Sequence, residues 1–453
     1  MKKITMLALL ATTLCLAGCK GSNKTTSSSD GPEPLKDDEV EVRLPHSMDE
    51  SAKDYNIRLR FDDAFFKEDA KNFNKELAML SLGNTYCAAS SLFVEDFYAR
   101  LKFDGNIKFG NYAVTPTENT IGYSLAHKKI GNSDLIAISV RGFNYGREWA
   151  DNFYIGETGN HYGFQTKADE IYQGLTSYIS ENEYSNIKLW ITGYSRGGGV
   201  SNVLSHKILT STDLTVAQED MYVYTFEAPR GLVEENAVAY PNVHNIINNA
   251  DLVTYMAPAQ YGLYRCGVDI NIYTAGVNLS RLLKDLDKNL TIPEFVPTGG
   301  YSNEQEFIEY LLSELTKEYE DIPENAGKSL HTRKDYVDNY QDDVTYLIGL
   351  FFSLKSSTVN KIKERFSAIP TNELPGVILA TDGLYNFLKP ILDEDSVTYD
   401  DTKLHSACNK ASALLISNAG VILPLLTNQN NLTHIIDMHM PEVEYVLLKA
   451  YQA

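Results

Sequence analysis

Cysteine, positive charge and long apolar runs are all scarce in this chain. Only five cysteines occur in 453 residues: Cys15, Cys19, Cys87, Cys266 and Cys408. They form no CxxC pair and no Cys/His cluster, which argues against a disulfide-stapled scaffold and against a zinc site. Acidic residues outnumber basic ones by 60 to 40, a formal net charge of −20. That balance speaks against nucleic acid and against electrostatic docking on anionic lipid, and reads as a soluble acidic surface. Beyond the N-terminus no apolar stretch reaches the ~20 residues of a bilayer-spanning helix.

The N-terminus itself is different. "MKKITMLALLATTLCLAGCK" starts with Lys2 and Lys3, continues apolar, and ends in Leu16-Ala17-Gly18-Cys19. It resembles a bacterial lipoprotein signal peptide, with residues 1–18 removed and Cys19 lipidated as the first residue of the mature chain. The apolar part is too short for a transmembrane anchor. Residues 19–45, polar and rich in Ser and Thr, are expected to be a flexible tether that cannot bury enough surface to fold. Cys87, Cys266 and Cys408 then remain, enough for one bridge at most. These readings predict a lipid-anchored, extracytoplasmic protein of the bacterial cell envelope.

Residues 46–277 read as an α/β unit. Helical spacing runs from about Asp62 to Phe103. A hairpin follows in "TIGYSLAHKKIGNSDLIAISVRGF", turning near Gly131. Then "TKADEIYQGLTSYISEN" reads as helix, "NIKLWIT" as strand, "VSNVLSHKILTS" as helix and "MYVYTFEAP" as strand. "NVHNIINNADLV" reads as a further strand ending at Asp251. Strands alternating with helices predict a mostly parallel sheet with helices on both faces. Active sites of such sheets gather at the carboxyl ends of the strands, where Ser195 and Asp251 fall. Residues 278–433 read as a large, mostly helical cap insertion. One helix there carries a capping-box start at Ser302 and Gln305 and a stripe of Phe307, Leu311, Leu315 and Tyr319. Residues 434–453 read as a short strand and a final helix with Pro441 in its first turn.

The chemistry centres on "LWITGYSRGGGVSN" (189–202). A G-x-S-x-G pentapeptide arises by chance in roughly one chain of this length in ten, so its surroundings carry the case. An apolar strand precedes it, an amphipathic helix follows, and Gly193, Gly197 and Gly198 permit a tight strand-to-helix turn. A serine there needs an imidazole to take its proton, a carboxylate to orient that imidazole, and donors for an oxyanion. After Asp251 the available histidines are His331, His405, His434 and His439. His439, placed before the last helix, fits best by position; His405 and His434 are the alternatives, and His434 falls within the expected strand. "DLDKNLTIPEFV" (285–296) imitates the start of a calcium loop but lacks its Gly and its final Glu. No metal site and no cofactor are predicted.

Five elements between about Ile121 and Val268 resemble the class 3, fungal-type lipases. They are "LIAISVRGFNYGREWADN", "HYGF" (161–164), "ITGYSRGGG", "YTFEAPRG" (224–231) and "NIINNADLVTYMAP". The resemblance covers about a third of the chain and leaves out the cap. It implies an α/β-hydrolase fold, Ser195 as nucleophile and Asp251 as the triad acid. The backbone N–H groups of Arg196 and Phe143 would form the oxyanion hole, and His161 would be structural. "HMPEVEY" resembles the family's stretch around its triad histidine, which favours His439. Phe143 stands where the family usually has Thr or Ser. Arg196 stands where it usually has Leu, which puts a cation beside the site and would favour an acidic or polar substrate.

The function expected is therefore serine-dependent cleavage of carboxylic esters, lipase-like, on a lipid or small-ester substrate. A carbohydrate or small-ester esterase is the runner-up, since 29 tyrosines could line a sugar site. A non-catalytic binding module on a hydrolase scaffold is the third reading.

Overall fold

In the computed structural model the structure describes residues 35–44, 55–112, 120–142, 146–274, 276–298, 300–317, 330–370, 380–417 and 429–452, with 373, 376 and 377. Their strands are β1 (Glu39–Leu44), β2 (Tyr55–Arg60), β3 (Lys108–Gly110), β4 (Tyr123–Ile130), β5 (Ser133–Val140) and β6 (Ile187–Tyr194). After these come β7 (Met221–Phe226), β8 (Leu232–Val233), β9 (Val243–Ile247), β10 (Leu263–Tyr264) and β11 (Val268–Asn271). Seven of them form the central sheet in the order β11-β9-β7-β6-β5-β4-β3. From β5 to β11 neighbouring strands run parallel, and β4 and β3 close one edge antiparallel. The β4–β5 hairpin pairs Ile130 with Ser133, and Gly131 takes the left-handed φ of +60° that the two-residue turn demands.

The near-continuous apolar reading of β5, β7 and β9 follows from burial on both faces. Alternate residues go to opposite sides. Trp190 and Tyr194 join Tyr222, Tyr224 and Phe226 in one core, against helices Lys75–Cys87 and Pro441–Ala450. Leu189 and Ile191 join Ile138 and Val223 in the other, against helices Tyr162–Glu181 and Arg196–Thr210. Trp190 also donates its indole N–H to Ser81 Oγ at 2.8 Å, which fixes the first of those helices on β6. Truncating so large a buried side chain to Ala removes about 3–5 kcal/mol.

Between residues 278 and 433 the described structure is mostly helical, with separate small cores. Phe307, Ile308, Leu311 and Leu312 pack on Leu432 and Ile435, and Leu350, Leu384, Leu388 and Leu404 pack around Cys408. Arg333 ties this part to the sheet domain by donating to the carbonyls of Ile155, Gly156 and Gly159 at 2.6, 2.6 and 2.7 Å. Cys87, Cys266 and Cys408 are all free and buried. Among the described residues no helix is long and apolar enough to cross a membrane.

Four expectations need correction. The tether does not extend to residue 45, because "EVEVRL" forms β1 with Val40, Val42 and Leu44 buried. A charged residue at every other position disguises that alternation. The segment around His434 is not a strand but the end of helix Gln429–Asp437. Leu432 and Ile435 meet the core around Phe307 at helical spacing, and β11 already occupies the sheet edge beside β9. The cap of helix Glu304–Leu315 is Asn303, whose side chain accepts the Glu306 N–H, rather than Ser302; Tyr319 lies outside the described residues. Finally, β9 ends at Ile247, so Asp251 stands four residues past the strand in the loop it feeds. The architecture is α/β-hydrolase-like, with helical insertions.

Candidate active site

The strand-to-helix turn after β6 is sharp. Ser195 sits between β6 and helix Arg196–Thr210 at φ +52° and ψ −126°, a conformation that costs a residue with a Cβ about 1–3 kcal/mol. The surroundings impose it. The Ser195 N–H donates to the Phe226 carbonyl at 2.8 Å, and the Ser195 carbonyl accepts the Gly199 N–H at 3.0 Å. The chain is pressed together so closely that a Cβ on Gly193 would lie 2.2 Å from the Gly197 carbonyl oxygen. One on Gly197 would lie 2.5 Å from that of Val140. The glycines around the serine are there for backbone approach.

His439 lies in the short turn between helices Gln429–Asp437 and Pro441–Ala450. Three donors hold that turn from the sheet side. The Tyr194 hydroxyl donates to the His439 carbonyl at 2.8 Å, the Tyr86 hydroxyl to that of Pro441 at 2.8 Å, and the Asn248 amide to that of Met438 at 3.2 Å. The imidazole thereby spans two partners. Nδ1 is 2.6 Å from Asp251 Oδ2, and Nε2 is 2.9 Å from Ser195 Oγ. A carboxylate can only accept, so Nδ1 carries the proton and Nε2 is left to accept the serine hydroxyl. Asp251 is fully buried, and its Oδ1 accepts the Val253 N–H at 2.8 Å.

The other late histidines are engaged elsewhere. His405 pairs with Asp382 at 2.6 Å among the helices of the cap region. His434 contacts the Pro293 carbonyl at 2.7 Å and Glu304 at 3.1 Å, and His331 the Thr316 carbonyl at 2.8 Å. His161 caps helix Tyr162–Glu181 and stacks on Phe164 with centroids 3.8 Å apart. Burial pushes its pKa down to about 3, so it stays neutral.

On the other side of Ser195, Arg196 behaves differently from the expectation. Its guanidinium is buried, with Nη1 3.5 Å from Glu148 and Nη2 3.5 Å from Asp151. It also donates to the Thr120 carbonyl at 3.2 Å. Arg141 pairs with the same Glu148, and Lys167 lies 3.0 Å from Asp151. The Arg196 charge is therefore spent inside the protein and none is presented to a substrate. Its backbone N–H opens helix Arg196–Thr210, where the first N–H groups lack intrahelical acceptors. Phe143 and Cys19 lie outside the described residues.

Two residues that sequence reasoning missed stand behind Asp251. Glu227, immediately after β7 at φ +47°, and Glu444, from the last helix, are fully buried. Both are raised above the usual carboxylate range, first by burial, with Asp251 adding to the effect. Among the described residues no cluster of His, Cys, Asp and Glu could hold a metal ion.

Residues 137–261 match the family model for lipase, class 3. That segment holds Ser195 and Asp251, while His439 lies beyond it. Among solved structures, the triacylglyceride lipase of Rhizomucor miehei is similar at 19% identity over 44% of this chain and 82% of that one, with TM-score 0.34. A triacylglycerol lipase described as having a serine protease triad at its catalytic centre is similar at 19% identity over 45% and 82%, TM-score 0.34. Lipase II of Rhizopus niveus is similar at 14% over 43% and 80%, TM-score 0.32. No curated protein matches the chain by sequence. The class 3 segment supports a lipase-like serine ester hydrolase.

Proposed function

We propose that this protein is a membrane-anchored, extracytoplasmic lipase-like enzyme that cleaves carboxylic esters through Ser195, His439 and Asp251. The observation that carries the proposal is the hydrogen-bonded chain from Asp251 to His439 at 2.6 Å and from His439 to Ser195 at 2.9 Å. Ser195 Oγ attacks the acyl carbonyl as His439 Nε2 takes its proton, and buried Asp251 stabilises the imidazolium. The Arg196 N–H at the start of its helix receives the oxyanion, and the resemblance to class 3 lipases assigns the second donor to Phe143. Collapse passes the proton from Nε2 to the departing alcohol and leaves an acyl ester on Ser195. Water, deprotonated by the same imidazole, then frees the acid and restores the serine.

Cys19 within its signal-like context supports the anchor, and the class 3 segment supports an acyl-lipid substrate. The carbohydrate alternative draws on fewer tyrosines than the 29 in the sequence. Tyr86, Tyr98, Tyr178, Tyr194, Tyr222 and Tyr224 are among the largest fully buried side chains, so these six belong to the core. The test is hydrolysis of p-nitrophenyl esters from acetyl to palmitoyl by the full chain in detergent. Activity rising with chain length supports a lipase, and an optimum at acetyl moves the substrate to small esters. No hydrolysis by folded protein would overturn the enzyme reading in favour of a binding module. Retention of the chain in membranes after Cys19→Ser would overturn the lipid anchor.

A further inference from the structure

The reaction scheme does not use the groups that seat its base. His439 lies 244 residues beyond Ser195 along the chain, in the turn 438–440 between two helices, so no strand of the sheet carries it to the nucleophile. Its turn is held instead by donors that neighbour its own two partners. Tyr194, joined to Ser195 by a peptide bond, donates its hydroxyl to the His439 carbonyl at 2.8 Å. Asn248, whose carbonyl accepts the Asp251 N–H at 2.9 Å, donates its side-chain amide to the Met438 carbonyl at 3.2 Å. Tyr86, near the end of helix Lys75–Cys87, donates to the Pro441 carbonyl at 2.8 Å. The rings follow in the same order: the Tyr194 centroid is 5.4 Å from that of the imidazole and 6.1 Å from that of Tyr86. Both tyrosines are buried, and burial pushes both hydroxyls well above the usual tyrosine range, so each keeps its proton to donate.

We infer that Tyr194 is a positioning residue for the triad base, setting His439 Nε2 at its distance from Ser195 Oγ, with Tyr86 steadying the far side of the turn. This role rests on the triad proposed above. A closed circuit of contacts performs it. The circuit runs from the Ser195 backbone through the Tyr194 side chain to the His439 backbone, and returns through the imidazole to Ser195 Oγ at 2.9 Å. The base cannot swing away from the hydroxyl without breaking a bond of that circuit, so proton transfer starts from an aligned pair. Tyr194→Phe keeps the aromatic contact, opens the circuit at one oxygen atom, and leaves the His439 carbonyl without that donor. The Asp251 contact at 2.6 Å then holds the imidazole at Nδ1 alone, and Nε2 is free to drift.

A third buried tyrosine tells positioning from packing. Tyr222 lies in the same core but at the start of β7, the end of the sheet remote from Ser195, and donates its hydroxyl to the Glu68 carbonyl at 2.6 Å. Kinetics of the full chain on one p-nitrophenyl ester are compared for Tyr194→Phe, Tyr86→Phe and Tyr222→Phe. Each variant loses one hydrogen bond and should melt a few degrees below wild type. Tyr194→Phe is expected to lose about ten- to a hundredfold in kcat with KM unchanged, as misplacement of a catalytic group does. Tyr86→Phe, one contact further out, is expected to lose about three- to tenfold, and Tyr222→Phe to stay within about twofold of wild type. Labelling of Ser195 by an alkyl phosphonate, which needs the base but not the ester, should slow in the same proportions. Wild-type kcat and labelling in Tyr194→Phe would overturn the inference. So would equal losses in Tyr194→Phe and Tyr222→Phe, since the hydroxyl would then matter only to packing. If Tyr194→Phe does not fold, Tyr86→Phe against Tyr222→Phe decides in the same way. Ser195→Ala isolates the underlying reading: undiminished hydrolysis there sinks the triad itself. An inactive Ser195→Ala beside a fully active Tyr194→Phe sinks only the role of Tyr194.

Discussion

Two buried charge clusters flank Ser195, and they are settled by different means. On the Arg196 side, three cations (Arg141, Arg196 and Lys167) meet Glu148 and Asp151. On the Asp251 side, Asp251 meets one imidazole, and Glu227 and Glu444 are fully buried without an ion-pair partner among the described residues. Burial raises Glu148, but both arginines pull it back. Burial raises Glu227 too, and its neighbouring carboxyls push it further the same way. One cluster is balanced by ion pairs; in the other, burial raises the carboxyl groups with no cation against them.

The largest effect expected is on the imidazole that links the second cluster to the nucleophile. His439→Ala should lower kcat by at least about a thousandfold, as removal of a triad member does, while His405→Ala and His434→Ala keep most activity. Steady-state rates on one ester decide this, and comparable losses at His405 would contradict it. Next comes the ion-paired side. Arg196→Met leaves Glu148 and Asp151 facing each other with less compensation, and breaking a buried pair costs about 3–5 kcal/mol. Denaturant titration should show that loss, while the relative rates on neutral and anionic esters stay unchanged. A changed preference would mean that the guanidinium does reach substrate.

A smaller effect sharpens the contrast in pH. A carboxyl whose folded pKa is raised stabilises the fold at low pH, and that stability is lost as pH rises toward the folded value. Glu227 and Glu444 are such groups, and burial pushes Asp437 up to about 7. His161, held down to about 3, works in the opposite direction but only below the ordinary histidine pKa of about 6.5. With these acids outnumbering the one histidine, the melting temperature should fall by a few degrees from about pH 4.5 to 7, and Glu444→Gln should flatten the slope. A rise over that window would contradict the raised carboxyl groups. The smallest effect belongs to the exposed His405–Asp382 pair, where His405→Ala should leave the melting temperature almost unchanged.

How legible each part was follows from the same physics. The sheet was readable because β5, β7 and β9 are mostly apolar runs buried on both faces and are bounded by turn residues. Ser195 and its glycines were readable because the elbow admits few sequences. The segment around His434 was misread as strand because a short apolar run has no unique period; the core around Phe307 decides it. Arg196 looked like a cation offered to substrate, and its burial depends on Glu148 and Asp151, more than forty residues away. Glu227 and Glu444 were invisible for the converse reason. An acid in sequence reads as surface, and only the fold shows that the end of β7 and the last helix bring these two behind Asp251.

The most direct test of the central claim is covalent labelling of the folded chain with an alkyl phosphonate, with the modified peptide mapped by mass spectrometry. The account predicts stoichiometric modification of Ser195 alone, and labelling slowed by about a thousandfold in His439→Ala, because the hydroxyl then lacks its base. Modification at another residue, or labelling of Ser195 at the same rate without His439, would contradict it.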